Sequence, residues 1–473
     1  MSKRLNVYIE NLYNSCMWVT DQHRQLLYKR QKENNLSDEE IQSLVEKNAE
    51  TAKRNFSKVF KRMGNKIEYY TVPTCIFPIG EASEIVISCK YRYQKIVGRY
   101  KVIVSPFYNY DYKASASYKP YSIIIEAKNN SLIIPFLFDG EDMYSINVFY
   151  LLDEEEMLFV STNVYAVNRD LYECKYYKAD LHMHTTHSDG YEPPELVVAS
   201  ARECGMDIIA ITDHNAFSGS VSAKKKAADM GLDMTVILGE EYSLEYSPMH
   251  ILALGTEEEI DRKYLTKQVL DMPETKKILE SNPTLSCDAE VYACTQVLLD
   301  QVSKIGGISI LAHPYWKPIA LNGTRIDTPE NVYIELGKDK KFTGIEIVSG
   351  SLDGEVNVSN LQASLARTIL GNFDGVPIIG ITDAHYYTTD SICGKHFTIV
   401  FSKSNSKDCV LEALRSGFTV AVELVNGTPL CYGEHRLVKF AEFLLKNYFP
   451  SRDLAAKKEA LSAKQKYLLK SAE

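Results

Sequence analysis

From Leu181 to Asp189 the chain reads Leu-His-Met-His-Thr-Thr-His-Ser-Asp, and further imidazole and carboxylate clusters follow it as far as His385. They are Asp213-His214-Asn215, Glu240-Glu241, His250, His313 and Asp383-Ala384-His385. The approach from Tyr177 to Leu181 predicts an extended strand, on which residues two apart point to one side, so His182 and His184 can chelate a single ion. Imidazole and carboxylate donors together suit zinc, manganese or iron; an all-oxygen set would have suggested magnesium or calcium. No thiolate stands among these residues. A solitary histidine is ordinarily a hydrogen-bonded structural residue. Seven of the chain's ten histidines fall in the clusters, six of them as candidate ligands, which makes metal binding the better reading of the set.

The clusters need elements to hold them together. Asp213-His214 follows Ile208 to Thr212, Glu240-Glu241 follows Thr235 to Leu238, and His250 opens Ile251 to Leu254. His313 closes Ile308 to Ala312, and Asp383-Ala384-His385 closes Val376 to Thr382. These short apolar runs predict buried strands with most of the polar clusters at their carboxyl ends. Between them lie helix signals: Pro193-Pro194 as a start with Gly205 as a stop, then Ser220 to Met230, Ala289 to Lys304, and Leu361 to Gly371. Strands alternating with helices imply parallel βα units, and α/β barrels place their chemistry at the carboxyl ends of such strands. The expectation is an α/β fold, a distorted (β/α) barrel from Tyr176 to about Glu423.

The same clusters resemble the motifs of the PHP (polymerase and histidinol phosphatase) superfamily of metallophosphoesterases. His182-Met-His184 through Asp189-Gly190 looks like its first motif, Thr212-Asp213-His214 its second, Ala312-His313-Pro314 its third and Asp383-Ala384-His385 its fourth. Gly239-Glu240-Glu241, followed by His250-Ile-Leu-Ala-Leu-Gly255, is most similar to the CehA/McbA branch, named for carbamate-ester hydrolases. The resemblance covers about Tyr176 to Tyr448.

It implies a seven-stranded (β/α)7 barrel and two or three divalent ions, manganese, zinc or iron. Carried over residue by residue, His182, His184, Glu241 and Asp383 would hold the first ion, and Glu241, bridging, with His250 and His313 the second. Asp189, His214 and His385 would hold the third. Glu241 is preferred to Glu240 because the family pattern is Gly-x-Glu and alternate strand residues face opposite sides. Catalytic roles would fall to Glu241, to His385 and to Asp213, the last orienting its neighbours or relaying a proton to the leaving group. A hydroxide bridging two ions would be the nucleophile, and a third ion would neutralise phosphate oxygens.

Other residues carry open alternatives. His187 reads as a loop residue, His396 as structural or substrate-facing, and Glu346 as facing the barrel mouth or buried in a pair. Lys317 and Lys395 are candidate phosphate contacts; Tyr315, Trp316, Tyr386 and Tyr387 either pack a leaving group or cap the core. No phosphate-cradling glycine loop of the triphosphatase kind occurs.

At 473 residues, 45% hydrophobic and 24% charged, the chain has the composition of a globular protein of two or three domains. A net charge of −9 argues against long duplex nucleic acid as a partner. A small phosphorylated molecule or a short oligonucleotide is the expected substrate, with self-association left open. No signal-peptide core or eighteen-residue apolar run is present, so a cytoplasmic protein without membrane partners is expected. Ten cysteines without a Cys-x-x-Cys suit reduced thiols.

The chain reads as four parts: a helical segment over 1–65 with a capping box at Ser37 to Glu40, a β-sandwich-like domain over 66–172, the barrel over 173–430, and C-terminal helices over 431–473 divided at Pro450. A carboxyl or carbamate ester hydrolase with the same centre, or a barrel serving only as a binding module, are the competing expectations.

Overall fold

The computed structural model describes residues 70–90, 95–107, 120–152, 155–315, 329–350, 359–370, 376–387 and 391–471. The expected N-terminal helices, Trp316 and Lys317 lie outside the described residues. The chain divides into two compact units, Met1–Tyr172 and Glu173–Glu473.

In the first unit, β1 (Tyr70–Thr71), β3 (Ala82–Cys89) and β6 (Ser131–Leu137) form one sheet. A second sheet has the order β2 (Ile76–Pro78), β8 (Glu155–Val167), β7 (Asp142–Leu152), β4 (Arg99–Pro106), β5 (Tyr121–Glu126). Alternation buries one face of each strand, and Ile85, Ile87, Leu132 and Ile134 from the first sheet share an apolar cluster with Val102, Val104, Ile146 and Val148 from the second. The turn between β5 and β6 needs two left-handed residues. Asn129 (φ 50°) and Asn130 (φ 62°) supply them, closed by Lys128–Ser131 hydrogen bonds of 2.9 Å in both directions.

The second unit is built on β9 (Lys175–Asp180), β10 (Ile208–Ile211), β11 (Thr235–Leu244), β12 (Ser247–Leu254), β13 (Ile308–Leu311), β14 (Gly344–Val348), β15 (Ile378–Gly380), β16 (His396–Ser402), β17 (Thr419–Val425) and β18 (Thr428–Gly433). Their order in one sheet is β15-β14-β13-β12-β11-β10-β9-β16-β17-β18. A parallel bridge between Met183 and Ala384 brings the chain beyond β9 against the chain beyond β15, so this mixed sheet curls back on itself like a barrel. Ile208–Ile211 and Ile308–Leu311 are buried at every position, as strands covered on both faces must be. Covering helices include Pro194–Glu203, Phe217–Met230, Ala289–Lys304 and Ser359–Leu370.

The expectation of uniformly parallel βα units needs correcting. β12 runs antiparallel to both β11 and β13, because only Glu245 and Tyr246 connect β11 to β12 and a parallel crossover needs a dozen or so residues. β16, β17 and β18 are likewise antiparallel additions beside β9. Glu240 and Glu241 consequently lie inside β11 rather than at its end. Pro450 stands in the first turn of the helix Phe449–Ser471, immediately after His435–Asn447.

Candidate metal centre

Past β9 the chain stays extended, so His182 and His184 turn to the same side, both fully buried. Their Nε2 atoms are 3.1 Å apart. Glu241 Oε2 lies 3.0 Å from His182 Nε2 and 3.2 Å from His184 Nε2. Asp383 Oδ1 lies 3.3 Å and 3.0 Å from the same two atoms. These four donors form one cluster.

The other oxygen of Glu241 faces the next pair: Oε1 is 2.8 Å from His250 Nδ1 and 3.0 Å from His313 Nε2. His214 Nδ1 also reaches Glu241, at 3.1 Å from Oε2, so His214, Glu241 and His250 make a second compact group. A third group joins His184, Asp189, His214 and His385. Asp189 Oδ2 lies 3.3 Å from His385 Nε2 and 3.7 Å from His214 Nε2, and its side chain is 54% exposed. All six histidines, Asp189, Glu241 and Asp383 are thus gathered around one carboxylate, with the third group on the solvent side.

The donor atoms suit divalent ions. Glu241 Oε2 is buried and has no hydrogen bond of acceptable geometry, although three ring nitrogens lie within 3.2 Å of it. Lone pairs that converge without aligned N–H bonds leave a place for a cation. Without one, protons take that part. Burial alone would push the His184 imidazole down, but the hydrogen bond with Asp383 and the charges of Glu241 and Asp383 outweigh it and raise it to about 9. Burial likewise opposes ionisation of Asp189, and the hydrogen bond and charge of His385 more than reverse this, holding it below the usual carboxylate range.

Glu240 has a different environment. Its side chain is buried with both oxygens unpartnered, and burial together with the charge of Glu259 pushes it up to about 8. None of its contacts is with the histidines. Asp213 is engaged in positioning: it accepts from the Thr185 N–H, the Thr185 hydroxyl and the Ser188 hydroxyl, each at 2.7 Å. These bonds fix the loop that carries Asp189.

The remaining candidates have definite surroundings. His187 is a loop residue bonded to Ser218 Oγ at 2.8 Å. Tyr387 holds main chain, donating to the Ala384 and His184 carbonyls at 2.7 and 3.1 Å. Tyr315 packs against the apolar core. His396 is buried 3.8 Å from Glu423, outside the three groups. Glu346 is fully buried and paired with His182.

Sequence reasoning missed the supports at the strand ends. Asp180 accepts from Thr382 N–H and Oγ–H at 3.1 and 2.5 Å, tying β9 to the segment that delivers Asp383. Asn215 bonds Ser243 through both its side-chain atoms, and Ser243 Oγ is 2.9 Å from His214 Nδ1. Asn215 (φ 47°), His313 (φ 22°) and Asp383 (φ 52°) adopt left-handed backbone at three strand ends around the centre. Such strain concentrates at functional sites. An Asn after a strand is a weak signal for it; nothing in the sequence marks His313 or Asp383.

The curled mixed α/β sheet thus gathers a set of imidazole and carboxylate donors that could hold metal ions. Residues 180–370 match the model of the PHP domain family.

Among curated relatives, an uncharacterized protein of Methanocaldococcus jannaschii is 29% identical over 160 residues, 32% of this chain and 74% of that protein. The 5'-3' exoribonuclease Rnm of Salmonella typhimurium is 38% identical over 78 residues, 16% of this chain and only 27% of the enzyme. The phosphoribosyl 1,2-cyclic phosphate 1,2-diphosphodiesterase of Eggerthella lenta is 36% identical over 83 residues, 17% of this chain and 31% of the enzyme. A solved two-domain protein of Bacteroides vulgatus containing a PHP-like metal-dependent phosphoesterase overlaps 53% of this chain and 65% of its own at 22% identity, with a TM-score of 0.35. That overlap is too loose to carry an argument.

Proposed function

We propose that the chain is a PHP-type phosphoesterase that uses two or three divalent ions, manganese, zinc or iron, to release phosphate from a small monoester or a nucleotide from a short oligonucleotide. The observation that carries this reading is the third donor group. His184, Asp189, His214 and His385 lie beside the Glu241 groups, and Asp189 is more than half exposed there. A phosphoryl group presents several charged oxygens, and a substrate entering on this side meets that group first. When bound, divalent ions supply water made acidic near neutral pH and neutralise phosphate charge.

The chain's own contribution is placement. Glu241 offers one oxygen to His182 and His184 and the other to His250 and His313. Asp213 orders the Asp189 loop through Thr185 and Ser188. The buried walls around His182 and Glu241 exclude bulk water.

The exoribonuclease and the cyclic phosphate diphosphodiesterase among the relatives support phosphate diesters as substrates. Only short parts of those enzymes are matched, so the substrate rests on the site. The Gly239-Glu240-Glu241 sequence keeps the CehA/McbA branch, and with it carbamate or carboxyl esters, as the second reading. A seven-stranded barrel and a cytoplasmic location belong to the same proposal; among the described residues no helix is long and apolar enough to cross a membrane.

The test is metal analysis of protein purified without chelator, coupled to a panel of phosphate, carboxyl and carbamate esters. Phosphate or nucleotide release, abolished by EDTA and restored by added manganese, zinc or iron, is the expected result. Efficient cleavage of aryl carboxyl or carbamate esters with no phosphate ester cleaved would overturn the phosphoesterase reading in favour of the second.

A further inference from the structure

Glu346 is the centre of β14, flanked by the buried Ile345 and Ile347, and is itself fully buried. Both its oxygens are committed. Oε1 lies 2.8 Å from His182 Nδ1, and Oε2 accepts the main-chain N–H of His313 at 2.6 Å. The opposite edge of the His182 ring, Nε2, faces His184, Glu241 and Asp383 at 3.0–3.3 Å. His313 presents its own Nε2 to the other oxygen of Glu241 at 3.0 Å, from a residue held at φ 22°.

We propose that Glu346 is a positioning residue that links the first and second donor groups, fixing the tautomer of His182 and the strained turn of His313 with one carboxylate. The inference rests on the metal-centre reading and is independent of the substrate. The two oxygens of Glu346 serve as acceptors, Oε2 taking the His313 N–H and Oε1 the Nδ1–H of His182. In the metal-bound centre the Nε2 lone pair of His182 is therefore directed inward, the arrangement that outer partners of ligating histidines impose. The second oxygen of Glu346 holds the main chain of His313, so β14 sets the distance between two residues that face opposite oxygens of Glu241. Without this bond, nothing in the local sequence favours a left-handed His313.

The isosteric change Glu346→Gln separates this role from simple packing. A glutamine has one accepting oxygen and one NH2, so it can satisfy His182 or His313 but not both. With the NH2 towards Nδ1, the ring must carry its proton on Nε2, the atom that faces the centre. With the NH2 towards His313, two donors oppose each other.

The test uses the full chain stripped of metal and titrated with Co2+, whose visible absorption reports the coordination of each bound ion. Bound cobalt per chain is measured after desalting. Wild type is expected to bind at least two ions, and Glu346→Gln to bind the ions of the buried groups roughly 10–100-fold more weakly, with a changed spectrum. Glu346→Asp keeps both acceptors on a shorter stem and should restore part of the affinity. It also serves as the informative variant if the glutamine form does not fold. Folding is checked by far-UV dichroism and by the melting temperature in EDTA.

A folded variant that binds Co2+ with wild-type stoichiometry, affinity and spectrum overturns the proposal, including one whose metal-free melting temperature alone is lowered. Failure of the wild type itself to bind Co2+ would instead overturn the metal-centre reading.

Discussion

Glu240 and Glu241 are neighbours in β11, both buried, and only Glu241 reaches the histidines, through Oε1 to His250 at 2.8 Å and Oε2 to His182 at 3.0 Å. Strand alternation sends Glu240 to the other face, where burial keeps it protonated at neutral pH, pushed up to about 8. Glu241→Gln is therefore expected to lower both metal content and turnover by at least about 100-fold, whereas Glu240→Gln should change either by only a few-fold. Metal analysis and steady-state kinetics on the two variants check the register. The reverse order of effects would exclude Glu241 as the shared ligand.

Asp189 and His385 belong to the exposed edge of the centre, while His182, His184 and Glu241 are fully buried. Loss of His385 should leave the buried groups standing. His385→Ala is expected to bind about one ion fewer per chain and to lose hydrolysis of phosphate esters by about 100-fold or more, since the phosphate charge is then left unneutralised. Retention of phosphate ester turnover alongside the lost ion would separate the third group from the chemistry.

A β-carbon at Gly219 would stand 1.8 Å from Asp213 Oδ2, an oxygen already held by the Thr185 hydroxyl at 2.7 Å. The carboxylate cannot swing away without releasing the loop that carries Asp189. Gly219→Ala should thus cost about 1–3 kcal/mol of stability, as overpacking does, and weaken the third group more than the first. Denaturant melts with and without metal, together with ion counts, measure both effects. An alanine variant with wild-type stability and metal content would show that the helix Phe217–Met230 can shift to make room.

His396 is buried, and desolvation lowers its pKa despite the nearby Glu423, with Lys395 adding to the lowering. Between its folded pKa and its unfolded value of 6.5 the unfolded chain binds the extra proton, so stability rises with pH there. This contribution is complete above 6.5 and is lost as pH falls through the folded pKa. His396→Phe should flatten the fall in stability between neutral pH and about pH 5, read from urea melts of chelated protein at several pH values. An unchanged slope would mean that His396 takes its proton without disturbing the fold.

Legibility in the sequence followed physical contrast. Ile208–Ile211 and Ile308–Leu311 stand out because strands covered on both faces are apolar throughout and stop sharply at polar residues. The direction of β12 was hidden, since Ile251 to Leu254 looks the same read either way and only the two-residue link to β11 reveals the reversal. Helices such as Pro273–Ser281, Glu330–Asp339 and Lys407–Arg415 were missed because their apolar stripes are short and interrupted by charge. Histidine spacing marked which residues could gather at the centre, and alternation with apolar neighbours marked Glu346, whereas the supports Asp180 and Ser243 are common residue types whose partners lie far away in sequence.

The reversal at β12 also bears on the order in which the centre comes together. Glu241 and His250 are nine positions apart on a single hairpin, but His184 and Asp383 are 199 positions apart and meet only when the chain beyond β15 closes on the chain beyond β9. Hairpins form in roughly 1–10 µs, and long-range closures are far slower. A chain folding in the presence of ions therefore has a local chelate to offer before the barrel exists, and during synthesis that chelate emerges well before Asp383 has been made. An ion captured there would be built around rather than admitted, so late addition of metal to finished apoprotein and folding in its presence need not fill the centre at the same rate.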